Sequence, residues 1–501
     1  MRSRASLLAL AAGAASGALL WLSSPHGGLG WLAWVALVPS AAAALSVGGR
    51  TARAAVPLAY GVFLALSFAF ALPFGIAEDQ WGDPVLPIMV GDSPVVAAVL
   101  VGAPLAALAL YAIRFPQPLP RLRAPFALVL VPAAVWTALD VLRTKYDPSG
   151  LWGPLFLSQH DLPTRSLASL AGPWGVTFAI VGVNFALALV VLRRPRSLAV
   201  ATGAVAAVAA LFVVAAALRV PPDGSRLTVA AVQPGYDTAE WDEPPARHFH
   251  PARRDDERAS LDVIADLAEL SEEAVRAGAE LVVWPEAVAW VPPRENAAVR
   301  SALTELAGEL DVPLVVPYFR LELRKNAVVA VTPGGEVTRP QPKQRPMWFL
   351  GEEPREEPTR AVATGLVPVG VLLGVDNQDA AAARALALRG ARLLASATHD
   401  WEELAIQQRA FSRVHAAALG LAVVRADWRY GSGIYDHRGG RAAEVGVARE
   451  RGTLTATVAT GAAATPYARI GDVFGWACVA AAGLLLAAGA ARARFRSSRR
   501  R

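Results

Sequence analysis

The sequence predicts a multi-pass α-helical membrane domain of about eight helices, interrupted before the last helix by a soluble α/β layered sandwich. Three observations predict it. Hydrophobic residues make up 54% of the 501 and charged residues 18%, a balance shifted away from soluble chains. Eight apolar runs have the length that crosses a bilayer. Between the seventh and eighth, strand and helix signals alternate. The expected domains are 1–221, 222–471 and 472–501.

The runs fall near 5–22, 29–48, 54–76, 93–113, 125–143, 168–192, 197–218 and 473–491. Arg2 and Arg4 precede the first as in a signal peptide. No small-residue cleavage site follows and another apolar run begins at once, so a retained helix is expected. Arginines cluster after the second run (Arg50, Arg53), the fourth (Arg114, Arg121, Arg123), the sixth (Arg193, Arg194, Arg196) and the eighth (Arg492, Arg494, Arg496, Arg499, Arg500, Arg501). Glu78, Asp79 and Asp83 make the loop after the third run acidic. By the positive-inside rule both termini are cytoplasmic and the sandwich lies outside. The net charge of +6 is therefore read as membrane orientation; no nucleic-acid motif or internal repeat accompanies it. Asp140 and Arg143, one turn apart in the fifth run, can pair. The loop Thr144–Leu167 carries Trp152, Phe156, Gln159 and His160, and reads as an interfacial anchor in preference to the wall of a lipid cleft.

In the soluble segment, strands are expected at Arg226–Gln233, Leu281–Trp284, Pro313–Phe319, Val367–Val375, Arg392–Ala397 and Leu421–Ala426. Ala327–Thr332 and Glu336–Thr338 form a hairpin across Pro333-Gly334-Gly335, and further short strands lie near 432–436 and 453–459. Helices are expected at Asp255–Gly278, 295–310, Ala380–Leu388 and Glu402–Leu419. The charged run 253–258 reads as a solvated helix start.

Glu286 is the first chemical candidate. The strand ending at Trp284 stops at Pro285, which cannot continue a ladder, and a carboxylate follows. Held between Trp284 and Trp290 it is either a desolvated general base or a solvated loop glutamate. Lys343, between Pro342 and Gln344, reads equally as a solvated lysine and as a site cation. Glu352, Glu353, Glu356 and Glu357 read as a solvated loop. His399 and Asp400 are a weak metal or proton-relay signal, and a loop hydrogen-bonding role is simpler. No metal or other cofactor is expected. The single cysteine, Cys478, lies in the last apolar run, where it should be inert; it excludes an intrachain disulfide.

Several stretches together resemble bacterial apolipoprotein N-acyltransferases. They are Ser24-Pro25 with Gly30 to Pro39, Trp136 to Arg143, and Gly172-Pro173-Trp174-Gly175 through Asn184. Val229 to Pro234, Val283-Trp284-Pro285-Glu286, and Gly390 to Leu394 followed by Thr398 to Trp401 resemble the nitrilase-like domain of that family. The family more often has Glu where Asp140 stands, and Asn where His399 stands. The resemblance implies an extracytoplasmic α-β-β-α nitrilase-like sandwich on a bacterial inner-membrane domain. It implies acyl transfer from a phospholipid donor to the N-terminal amine of a lipoprotein acceptor, through a cysteine thioester.

Carried over by motif, Glu286 matches the general base and Lys343 the lysine that stabilises the oxyanion. Glu352 or Glu353 resembles the family's second glutamate. The nucleophile does not carry over. In Gly370-Val371-Leu372-Leu373-Gly374-Val375-Asp376, Gly374 stands where the family has cysteine. Three readings stay open: a non-catalytic lipid- or lipoprotein-binding scaffold, a substitute nucleophile (Asp376 on the same strand, or Ser396 on a neighbouring one), and direct transfer with Glu286 as base. A nitrilase-like amidase acting on a small amide has no need of the membrane helices.

Overall fold

The computed structural model describes residues 2–46, 54–71, 124–146, 153–218, 221–235, 256–320, 323–346, 352–353, 358–446 and 450–498. Among these, 2–71, 124–218 and 470–498 belong to one compact unit, and 221–469 to a second. The fourth apolar run, the acidic residues Glu78, Asp79 and Asp83, Trp152, the 349–351 stretch and Glu356 and Glu357 lie outside the described residues. So do Arg50, Arg53, Arg114, Arg121, Arg123, residues 253–255 and Arg499 to Arg501.

The first unit is helical. Its elements are α1 (Arg2–Leu22), α2 (Ala33–Ala36), α3 (Val38–Ser46), α4 (Ala55–Ala71), α5 (Pro125–Tyr146), α6 (Ala168–Val191) and α7 (Ser197–Ala217). Four stretches, Arg4–Leu22, Pro125–Tyr146, Pro163–Val191 and Ser197–Ala217, are long and apolar enough to cross a membrane. The second run, expected as one helix, is broken. Asn184 of α6 accepts the Leu37 N–H at 2.8 Å and donates to the Ala33 carbonyl at 2.8 Å. Backbone groups freed by a break in an apolar setting need such partners, and the asparagine supplies both. α6 is kinked within its first turns, where Gly172 at φ 70 precedes Pro173.

Asp140 and Arg143 pair as expected, at 3.3 Å. Tyr60 of α4 closes the group: its hydroxyl lies 3.3 Å from Asp140 Oδ1 and accepts from Arg143 Nε at 3.1 Å. All three are buried. The loop after α5 corrects the anchor expectation. Leu155–Gln159 is buried inside the unit, where Phe156 packs edge-on against Trp174 and Gln159 accepts from Trp34 Nε1 at 2.9 Å. A segment whose polar groups are spent on neighbouring helices has none to offer a membrane surface.

The second unit is an α-β-β-α sandwich. Its strands are β1 (Arg226–Gln233), β2 (Leu281–Val283), β3 (Leu314–Arg320), β4 (Lys325–Val331), β5 (Gln341–Pro342), β6 (Val362–Ala363), β7 (Pro368–Leu373), β8 (Leu393–Thr398), β9 (Val423–Asp427), β10 (Gly433–Tyr435), β11 (Arg441–Glu444) and β12 (Gly452–Ala459). They form two six-stranded sheets, β12-β1-β2-β3-β4-β5 and β11-β10-β9-β8-β7-β6. The helices are α8 (Asp256–Arg276), α9 (Ala297–Leu310), α10 (Ala380–Leu388) and α11 (Glu402–Leu419). The period-two alternation of β1 builds both of its layers. Val229 and Ala231 face the second sheet, packing with Val371, Ala395 and Val424. Ala230 and Val232 face α8 and α9, packing with Val263, Leu267 and Leu303. Short α12 (Pro466–Ile470) follows β12, and α13 (Val473–Ser498), back in the helical unit, ends the chain.

One local expectation is corrected. The seventh strand stops at Leu373, because Gly374 turns at φ 51 into a 3-10 turn spanning Gly374–Gln378. Asp376 is therefore in that turn and not on the strand. The expected hairpin across Pro333-Gly334-Gly335 forms: the Thr332 N–H donates to the Glu336 carbonyl at 3.0 Å and the Thr338 N–H to the Ala330 carbonyl at 2.9 Å, with one bridge, Val331 to Val337, while the full antiparallel partners of β4 are β3 and β5.

Candidate active site

Within each sheet, three neighbouring strands run parallel: β1, β2 and β3 in one, β7, β8 and β9 in the other. The C-terminal ends of such strands are where α/β proteins collect reactive groups. Here those ends deliver Glu286 after β2, Gly374 after β7, His399 and Asp400 after β8, and Trp428 after β9.

Glu286 is buried, not solvated. Its Oε1 accepts from Asn326 Nδ2 at 2.5 Å and from Lys343 Nζ at 3.2 Å. Its backbone carbonyl accepts from Trp428 Nε1 at 2.5 Å, and the next residue, Ala287, sits at φ 57. The chain around Glu286 is thus held in a left-handed turn by its partners. Burial pushes the Glu286 carboxyl above its ordinary range; Lys343 opposes this and Glu352 adds to it.

Lys343 settles its ambiguity the same way. The ammonium is buried between Glu286 and Glu352, 2.8 Å from Glu352 Oε1. Burial disfavours its charge, but Glu286, Glu352 and Asp376 outweigh burial and push the lysine pKa up. It stays a cation throughout the physiological range. Its backbone N–H donates to the Asn326 carbonyl at 2.9 Å. Of the two glutamates carried as alternatives, Glu352 is the one in the site; Glu353 is exposed.

Asp376 is the anchor of the lysine segment. Its carboxylate accepts the backbone N–H of Gln344 at 2.9 Å, of Arg345 at 2.6 Å and of Leu373 at 3.4 Å. Burial pushes it up to about 7 against those donors. Oxygens engaged by three amides are a cap and not a nucleophile. Gln341 adds a second tie between the sheets, accepting the Val371 N–H at 2.9 Å and donating to the Val371 carbonyl. Ser396 is fully buried beside Leu372, inside β8 and short of its end. Cys478 packs against Ala138 and Ala482 in the helical unit.

Gly374 is the informative position. A Cβ built on it would lie 2.7 Å from Glu286 Oε2, 2.9 Å from Oε1 and 3.1 Å from the carboxyl carbon. The Glu286 carboxylate therefore closes over Gly374, and a side chain at 374 would displace it.

His399 and Asp400 do not act as a pair. Asp400 bonds Arg425 at 2.5 Å, and the same Arg425 nitrogen bonds Asp427 at 3.1 Å. Burial pushes Asp400 up to about 7, with Arg425 opposing. The His399 ring lies 5.6 Å from that of Trp428, and burial and Arg429 hold it well below the usual histidine range. No group of three or more His, Cys, Asp or Glu side chains able to hold a metal occurs among the described residues.

Asn326 and Trp428 were not singled out by the sequence. Asn326 left a faint signal, a lone amide in the apolar strand KNAVVAV; Trp428 left none.

A sandwich that brings a buried glutamate and a buried lysine to its strand ends, joined to a bundle of apolar helices, is a membrane-borne protein of the carbon-nitrogen hydrolase class. The model of that class, "Carbon-nitrogen hydrolase", matches residues 229–467, and the model "Apolipoprotein N-acyltransferase N-terminal domain" matches residues 16–186. The chain is 26% identical over 511 residues to an apolipoprotein N-acyltransferase of Geobacter metallireducens, covering 94% of this chain and 93% of that one. The chain is thus similar to apolipoprotein N-acyltransferases along both halves, in the same order. Similar solved structures include a carbon-nitrogen hydrolase from Helicobacter pylori G27 (18% identity, 47% of this chain and 89% of that chain, TM-score 0.37) and an amidase from Nesterenkonia sp. (21%, 49% and 94%, TM-score 0.38).

Proposed function

We propose that this protein is an N-acyltransferase-like membrane protein whose site takes a phospholipid acyl donor and the N-terminal amine of a lipoprotein, without a cysteine acyl-enzyme. The observation that carries this reading is Gly374. It stands 2.7 Å, by its missing Cβ, from a base that is otherwise fully equipped. Glu286 keeps its amide donor Asn326 and its cation Lys343, and Lys343 keeps Glu352. Buried charges are costly unless paired, so a site with no remaining use would lose them readily. A glycine cannot form a thioester, and the chain's one cysteine belongs to α13.

We place the protein in a bacterial inner membrane, with both termini cytoplasmic and the sandwich outside, from the arginine clusters of the loops and tail. The second reading, a scaffold that binds lipid or lipoprotein and transfers nothing, is favoured by the same glycine.

The test is a transfer assay on the purified protein, with phospholipid and a diacylated lipopeptide, reading the peptide mass directly. Gain of one acyl chain, abolished in Glu286→Gln, is the expected result. Folded protein that binds either lipid and yields no gain would establish the scaffold instead.

A further inference from the structure

We propose that Asn377 is a positioning residue: it clamps the turn Gly374–Gln378 to α11 and, through the neighbouring Asp376, sets Lys343 against Glu286. The role rests on the acyl-transfer reading above, in which those two groups form the reacting centre. Asn377 acts on them without touching substrate.

Helical spacing puts Gln408, Ser412 and His415 of α11 on one face, at i, i+4 and i+7. A polar stripe of that kind is ordinarily a solvated face, yet all three side chains are buried. Burying polar groups is costly unless each finds a partner. Here one buried residue partners all three. Asn377 Nδ2 donates to the Gln408 carbonyl at 2.9 Å and to Gln408 Oε1 at 2.8 Å. Asn377 Oδ1 accepts from Ser412 Oγ at 3.2 Å. The Asn377 backbone carbonyl lies 2.7 Å from His415 Nε2. A carbonyl only accepts, so that ring nitrogen carries the proton. Gln408 Nε2 completes the group by donating to the Gly374 carbonyl at 3.4 Å.

The same turn also bears on the site. Asp376 precedes Asn377 and accepts the backbone N–H groups of Gln344 and Arg345, which directly follow Lys343. Gly374 is the residue over which the Glu286 carboxylate closes. A short 3-10 turn has poor hydrogen-bond geometry of its own, so its place depends on what holds it from outside. Asp376 gives the lysine segment its position, and Asn377 gives Asp376 its own. While the turn is clamped, Lys343 lies 3.2 Å from Glu286 Oε1. Without the clamp the lysine retreats, and the buried Glu286 carboxyl loses the cation that opposes burial.

The experiment titrates the Glu286 carboxyl in the full chain, held in lipid nanodiscs, by infrared difference spectroscopy. Each background is referenced to its own Glu286→Gln variant, and the readout needs no turnover. In Asn377→Ala the protonation midpoint of Glu286 should move up by about one pH unit or more. With Lys343→Met already present, adding Asn377→Ala should leave the midpoint where Lys343→Met alone puts it, because the effect travels through the lysine. Gln408→Met keeps the side-chain length and removes the bonds to Asn377 Nδ2 at Oε1 and to the Gly374 carbonyl. It should move the midpoint the same way by less, and it keeps the test decisive if Asn377→Ala does not fold. In the transfer assay above, Asn377→Ala should lower kcat by about 10- to 100-fold.

A lower melting temperature with the Glu286 midpoint unmoved, in whichever of the two variants folds, would make the network merely structural and overturn the positioning role. So would an equal shift with and without Lys343. Either result leaves the acyl-transfer reading standing where the wild type transfers. No transfer by the wild type overturns that reading, while the titration still decides whether Asn377 sets Lys343 against Glu286.

Discussion

Lys343 carries a charge that two carboxylates share, and its removal tests more than binding. In Lys343→Met the oxyanion loses its cation, and kcat for acyl transfer should fall about 100- to 1,000-fold. The same change removes the charge that holds Glu286 down against burial. The Glu286 carboxyl then rises further, so residual activity should shift to higher pH. A pH–rate profile unchanged in shape would break the proposed coupling between the two.

Asp376 makes a separate prediction. Its folded pKa, about 7, lies above the ordinary 3.8. The folded state therefore holds the proton more tightly than the unfolded chain. The stability this gives is complete below the unfolded pKa and is lost as pH rises through the folded one. Between pH 4 and 8, the melting temperature of the wild type minus that of Asp376→Asn should fall. A difference constant with pH would remove the titration of Asp376 from the account.

Among the elements, the end of β9 is the most exacting. Arg425, fully buried, bonds Asp400 beyond β8 and Asp427 at the end of β9, and its Nη1 donates to the carbonyls of Tyr430 and Gly431. One guanidinium thus fixes the ends of two neighbouring strands and the turn that follows. That turn presents Trp428 to the Glu286 carbonyl. Arg425→Met leaves two buried carboxylates without their cation, and should cost about 3–5 kcal/mol, read by denaturant unfolding of the purified protein. Asp427 is also held by Thr398 Oγ1 at 2.7 Å. An unfolding midpoint within error of the wild type would mean that this bond and the sheet hold the strand ends without the arginine.

For the molecule as a whole, the proposed orientation rests on the arginine clusters. Hydropathy alone does not distinguish inside from outside, and the basic clusters are the ground for the proposed placement. A reporter fused after Arg501 should be active in the cytoplasm. An extracytoplasmic signal there would place the sandwich on the other face and deny it the proposed substrates.

Much of the fold was legible because periodicity is local. Ala380–Leu388 and Glu402–Leu419 are helices over the residues expected, and β1 spans the Arg226–Gln233 expected for it. Glu286 was legible as a candidate, since a strand, a proline and a carboxylate in succession are visible in eleven letters. Gly374 was legible through resemblance alone. Burial of Lys343 was not legible, because prolines and glutamine beside a lysine describe a solvated loop equally well.

What the sequence determined by itself is the alternation of apolar runs, strands and helices, and the absence of a cysteine from the sandwich. These follow from side-chain chemistry at short range. What tertiary structure decided is which charges become a site. Asp376 and Gln341 tie the lysine segment to β7. Of two adjacent glutamates, Glu352 turns inward to Lys343. Asn326 and Lys343 take Oε1 of Glu286, and the carboxylate closes over Gly374. These partners meet across two sheets, and the energy of a buried charge depends on its neighbours in space, which no local pattern encodes.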